Sequence, residues 1–203
     1  TTVRGRSSTT RKRAEASGVA IVDSLEDVFA ESDLVLSICT PDVAREMLDR
    51  FEAWGRATTN RPTFVEANGM HPEPLVRHLD SLTTLGFRVV DAGLVGLPPD
   101  DDRRPTLLVS GADTSMVDPL HGIAFEVLHV GEAFQRASIL RMLHGLFSKG
   151  FNANLPHLML VAEELAFRED LMVLLDSTRP DLTERSRRTI PWIPADHERF
   201  QIE

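Results

Sequence analysis

Through its first half the chain alternates short apolar runs with longer stretches in which apolar residues recur every third or fourth position. The runs at 19–22, 34–39, 62–66, 87–92 and 104–111 predict strands, and the spacing over 24–31, 43–54 and 72–85 predicts helices between them. Ser24 with Asp27 three residues on reads as a capped helix start with an acidic first turn. Residues 33–39 read as a buried parallel strand, and Gly86 as the stop of the third helix. Strand and helix in regular succession predict an α/β fold, an open, doubly wound, mostly parallel sheet covered by helices. A connection rich in Gly, Pro and Asp is expected at 93–103.

Beyond Gly111 the rhythm changes. From 134 to 167 apolar residues keep helical spacing with few strand signals, which predicts a mainly helical C-terminal domain, kinked or interrupted at Pro156. The boundary is expected between 117 and 131, giving 1–116 as the sheet domain and 117–203 as the helical one. Residues 1–18 read only as a polar lead-in.

Composition narrows the function classes. With 203 residues, 42% of them hydrophobic, the chain can bury one sizeable core or two modest ones. A net charge of -9 argues against a nucleic-acid partner, which normally meets a concentrated basic surface. No apolar run approaches the ~20 residues that cross a bilayer, so no membrane partner is expected. The basic N-terminal stretch also lacks the apolar segment of a secretory signal. The one cysteine, Cys39, excludes an intramolecular disulfide and fits a cytoplasmic compartment; inside its apolar run it reads as a small hydrophobe rather than a nucleophile. There is no tyrosine to serve as a phenolic acid, and the seven histidines are scattered without metal-ligand spacing.

Three places carry candidate chemistry. Arg6, Ser7, Ser8 and Arg11 put cations and hydroxyls on one short turn, which suits a phosphate and equally suits a solvated charge run. Asn68 follows a strand and precedes a helix, where ligands meet an open α/β sheet; an Asn-Gly turn chosen for its backbone explains it as well. Gly93, Val95 and Gly96 form either a substrate loop or a plain connector. The usual dinucleotide signature, Gly-x-Gly-x-x-Gly after a first strand, is absent.

Several segments, in order, resemble 6-phosphogluconate dehydrogenase-like NAD(P)-binding proteins of the β-hydroxyacid (3-hydroxyisobutyrate) dehydrogenase superfamily. They are Arg4-Gly-Arg-Ser-Ser-Thr-Thr-Arg11, Ser37-Ile-Cys-Thr-Pro41, Glu66-Ala-Asn-Gly-Met-His-Pro72, Asp91-Ala-Gly-Leu-Val-Gly96 and Leu107-Leu-Val-Ser-Gly111. Residues 137–150 resemble that superfamily's interdomain helix. The resemblance implies an incomplete Rossmann-type sheet whose first strand and glycine loop are missing, followed by a helical dimerisation and substrate domain. It implies a nicotinamide cofactor, NADP with NAD possible, with Arg6, Ser7, Ser8 and Arg11 at the adenosine end and Thr40, Pro41 and Asn68 along the nicotinamide path. Small hydroxy or keto acids, or imines, are the implied substrates, placed near Gly93, Val95 and Gly96.

The family's catalytic lysine aligns with Arg141. A guanidinium is a poor proton shuttle but binds a carboxylate through two bonds, so Arg141 is expected to anchor substrate. His144, one turn on, is the expected acid or base, although a helix histidine satisfied by packing explains it too. Lys149 falls about 80° around the helix and ~12 Å along from Arg141, too far to replace it directly. A homodimer is implied, and so is the alternative of a catalytically silent relative that keeps the fold for dimerisation or ligand binding.

Overall fold

The computed structural model describes residues 1–5, 7–68, 72–96 and 103–180. The chain forms two compact units, Thr1–Met142 and Leu143–Glu203. Elements of the first are α1 (Ser8–Ala16), α2 (Leu25–Glu31), β1 (Leu34–Ser37), α3 (Pro41–Ala57), β2 (Thr63–Glu66), α4 (Pro72–Thr84), β3 (Val89–Val95), β4 (Thr106–Ser110), a 3-10 helix (Ser115–Leu120) and β5 (Glu126–His129). The first residues of α5 (Arg136–Glu164) complete it; the rest of α5 and α6 (Arg168–Thr178) lie in the second unit.

The five strands form one sheet in chain order, β1 to β5. The pairs β1/β2, β2/β3 and β4/β5 are parallel, and β3/β4 is antiparallel. The expected parallel-dominated α/β sheet with a helical C-terminal region is therefore the fold observed. β2 is buried along its whole length, which is why its two adjacent apolar residues, Phe64 and Val65, face opposite sides of the sheet without a polar alternation.

One sheet face packs Val35 and Phe64 against Phe29 of α2, Leu48 and Phe51 of α3, Leu79 and Leu82 of α4, and Phe87. Phe51 sits at the centre, its ring 5.0 Å edge-on from Phe29, 4.5 Å from Phe64 and 4.9 Å from Phe87. Trp54 closes the cluster, 5.6 Å from both Phe29 and Phe51. The other face gathers Val65, Val90, Ala92, Leu107 and Val109 under Val117 of the 3-10 helix. Local chemistry fixes the helix ends. Ser24 and Asp27 form a reciprocal capping box on α2, Pro41 opens α3 at a position that needs no N–H, and Gly86 leaves α4 with φ +86°.

The structure departs from the expected elements in five places. α1, which the pattern gave as a polar lead-in, is a helix with no buried residue, capped by Ser7. Without an apolar stripe it left no periodic signal. β3 runs to Val95, so Gly93 and Val95 are strand residues paired with Leu108 and Thr106 rather than loop residues. β5, beyond the expected 116/117 boundary, joins the sheet beside β4; its short, largely exposed edge position gave no apolar run. α5 continues through Pro156, one lost N–H bond being a local defect in a helix of 29 residues. Residues 19–22, expected as a strand, contribute only an isolated bridge from Val22 to Thr2.

Candidate functional site

The same sheet face that is apolar below turns polar at the C-terminal ends of its parallel strands. Side chains alternate along a strand, so Ser37, Glu66 and Asp91 share the face of Val35, Phe64 and Val89. They are also register partners, Ser37 with Glu66 and Glu66 with Asp91. All three are buried, Glu66 and Asp91 at 0% exposure. Buried carboxylates demand partners, and the two find them unequally.

Asp91 is fully served. Its Oδ2 accepts from Ser110 Oγ at 2.8 Å and from Ser138 N at 3.1 Å, and its Oδ1 accepts from Ser138 Oγ. Ala137 N donates to Ser110 Oγ at 3.1 Å, so the first turn of α5 is tied to β3 and β4 through one carboxylate. A negative group at a helix N-terminus is also favoured by the orphan N–H groups there. Burial pushes the Asp91 carboxyl up from its ordinary value while the Ser138 and Ser110 donors pull it back.

Glu66 is half served. Its Oε1 accepts from Asn68 N at 3.1 Å and from Asn68 Nδ2, while Oε2 accepts no hydrogen bond among the described residues. Burial pushes its carboxyl up to about 7 against the pull of the Asn68 donors; the Asp91 charge adds to the rise and Arg141 opposes it.

Asn68 is the clasp between two loops. Its Nδ2 also donates to Ser37 Oγ at 2.8 Å, and its Oδ1 accepts from Cys39 N. The amide is thus engaged inside the protein on both sides, holding the end of β2 against the end of β1. Asn68 also bridges the backbone of Gly93.

Arg141 lies one turn of α5 beyond Ser138, half-buried against β3. A Cβ added at Gly93 would come 2.7 Å from Arg141 Cβ and 2.9 Å from the Ala137 carbonyl oxygen. Gly93 therefore permits the close approach of helix and strand that brings the guanidinium stem to this cluster.

The other expected residues fall elsewhere. Ser7 spends its hydroxyl capping α1, accepting from Thr10 N at 3.2 Å; Ser8 and Arg11 are exposed on that helix. Arg11 and Arg4 line one cavity of about 400 Å³ with Thr2 and Asp23, two cations and one acid on a partly apolar wall. A second cavity, of about 720 Å³, lies between Thr1–Gly5, the start of α2 and the outer edge of β1 as far as Cys39. Thr40 is exposed at the N-terminus of α3 and makes no side-chain cap bond; Pro41 is the helix's first residue. Arg6 and Gly69 lie outside the described residues. Val95 is half-buried and Gly96 exposed with φ +117°. His144 and Lys149 are exposed and belong to the second unit, whereas the Glu66, Asp91 and Arg141 cluster belongs to the first. Sequence reasoning passed over Ser37, Glu66, Asp91, Ser110 and Ser138 as site residues. A readable signal existed for two: Glu66 puts a charge at the end of β2 directly after Phe64 and Val65, and Asp91 puts one inside the otherwise apolar β3.

The fold is that of the 3-hydroxyacid dehydrogenases, seen in comparison with solved structures. A conserved protein of unknown function whose structure reveals similarity with 3-hydroxyacid dehydrogenases superimposes over 98% of this chain and 74% of its own, at TM-score 0.71 and 26% identity. The 3-hydroxyisobutyrate dehydrogenase of Mycobacterium tuberculosis, solved with L-serine, matches 84% of this chain at TM-score 0.66 and 18% identity; the chain spans 60% of that enzyme. An imine reductase variant from Myxococcus stipitatus, in complex with NAD+, matches 92% of this chain and 66% of its own at TM-score 0.67 and 16% identity. An uncharacterised 28.5 kDa protein of Methanothermus fervidus is 25% identical over 181 residues, 88% of this chain and 67% of its own. No family model matches the chain. These structural neighbours are 3-hydroxyisobutyrate dehydrogenase-like and imine reductase proteins, consistent with the hydroxyacid dehydrogenase superfamily. No helix among the described residues is long and apolar enough to cross a membrane.

Proposed function

We propose that the chain acts as a nicotinamide-dependent oxidoreductase that moves a hydride between the cofactor and a small hydroxy or keto acid, or an imine. The observation that carries this reading is Arg141, brought beside Gly93 at the C-terminal ends of parallel strands, the end at which α/β sheets take their ligands. A guanidinium there offers two parallel donors to a substrate carboxylate. Asn68 and Asp91 act behind it, the first holding the β1 and β2 loops together and the second fixing the start of α5.

A preference for NADP is supported by Arg4 and Arg11 on one cavity, since a 2′-phosphate calls for cations. When bound, the nicotinamide supplies or accepts the hydride; the chain's own residues bind, orient and hold protons. His144 and Lys149 carry the proton-transfer part of the reading on residue type alone. A cytoplasmic location is supported by the single cysteine.

The reading is tested by titrating the chain with NADPH and NADH, following nicotinamide fluorescence, and then screening short keto acids and imines for turnover. Saturable NADPH binding tighter than NADH, weakened in Arg11→Ala, is expected. No binding of either, together with no turnover, refutes it. A second reading, a silent relative that dimerises through its helical unit, is favoured by the exposed Leu143, Leu146, Phe147, Leu160 and Val161 of α5. Sedimentation across a wide concentration range should then show a dimer.

A further inference from the structure

Two carboxylates share the polar end of one sheet face, and only one is completely partnered. Glu66 is sealed from solvent, and its Oε2 accepts nothing among the described residues. A carboxylate in that condition stays neutral unless a cation compensates it. The charged groups acting on it are Asp91 from the adjacent strand and Arg141 from α5, of which Arg141 alone is positive. Beyond its neighbour Ser37 lies the Cys39 thiol, 3.9 Å from Ser37 Oγ.

We propose that Glu66 is the proton-taking counterpart of Arg141, so that binding of a carboxylate by the guanidinium is accompanied by proton uptake at Glu66. The inference rests on reading Arg141 as the carboxylate anchor. With the anchor vacant, the guanidinium lowers the free energy of ionised Glu66. A bound carboxylate cancels that positive charge and leaves the repulsion of Asp91 unopposed, so Glu66 holds its proton to higher pH. The proton goes to Oε2, because Oε1 already accepts from two donors of Asn68. Asn68 therefore keeps its clasp on Ser37 and Cys39 in both protonation states. By linkage, whatever takes up a proton on binding binds more weakly as pH rises.

The test is calorimetric titration of the chain, with NADPH present, by sodium 3-hydroxypropionate at pH 7.5 in two buffers of different ionisation enthalpy. The native chain should take up roughly half a proton per anion bound, and its Kd should rise several-fold between about pH 6.5 and 8.5. Glu66→Gln should show no uptake and a flat Kd. Equal uptake in both overturns the proposal, as does zero uptake by a native chain whose binding is lost in Arg141→Ala. No binding by the native chain, or equal binding by Arg141→Ala, removes the anchor and the proposal together. If Glu66→Gln does not fold, the native chain labelled with 13C-glutamate gives the same answer. Its Glu66 carboxyl midpoint should rise when the anion is added, and an unmoved midpoint refutes the coupling.

Discussion

Replacing Glu66 by glutamine should make the first unit more stable, and increasingly so as pH rises. Glutamine keeps the acceptor that Oε1 offers to Asn68 but cannot ionise. In the native chain the folded state holds the Glu66 proton to about 7, against an ordinary value of 4.5 in the unfolded chain. The folded pKa is raised, so the stability this group contributes is fully present below pH 4.5 and is lost as pH climbs through 7. At ~1.4 kcal/mol per pKa unit the complete loss is about 3 kcal/mol, an upper figure for a group whose surroundings can relax. Between pH 5 and pH 8 the advantage of Glu66→Gln over the native chain should therefore widen by about 2 kcal/mol. Urea unfolding followed by the fluorescence of Trp54, which packs in the aromatic cluster of this unit, measures the difference. A constant difference at all pH values would mean that Glu66 is solvated or paired in the folded state and would refute the reasoning.

Gly93→Ala should cost about 1–3 kcal/mol through overpacking against α5, and the shifted Arg141 should weaken 3-hydroxypropionate binding; an unchanged urea midpoint would show that α5 moves freely. Phe51→Ala removes the ring at the centre of the aromatic cluster and should cost about 3–5 kcal/mol, read as a lower urea midpoint for Trp54 fluorescence. Ser24→Ala breaks the capping box on α2 and should cost about 1 kcal/mol in the same assay.

What the sequence disclosed follows from what produces periodicity. α2, α3 and α4 bury one face each, and β1 to β4 sit in apolar surroundings, so their residues repeat at recognisable spacing. α1 and α6 bury nothing, and β5 is an exposed edge, so no spacing marks them. Gly93 looked like a loop because glycine is common in loops; its reason, room for Arg141 and the Ala137 carbonyl, exists only once α5 has docked. The candidate site was legible in part. Arg141 was found through the family's lysine position, whereas Asp91 and Ser138, 47 residues apart, form a pair that only the fold creates. Asn68 was expected along the cofactor path; its partners Ser37 and Cys39, which no local pattern announces, make its amide a clasp between two loops.

The simple order of the sheet bears on how the molecule comes into being. Each strand pairs with its immediate predecessor, the widest gap being the 29 positions from Leu34 to Thr63. Closing such short loops costs little entropy, so each strand can dock on a template already in place as the chain emerges from synthesis. The ties from Asp91 to Ser138 reach further than any strand pairing, and α5 can make them only after β3 and β4 have paired. Among these elements assembly would then proceed from β1 towards β5, and the polar cluster around Asp91 and Ser138 would be among the last parts to close.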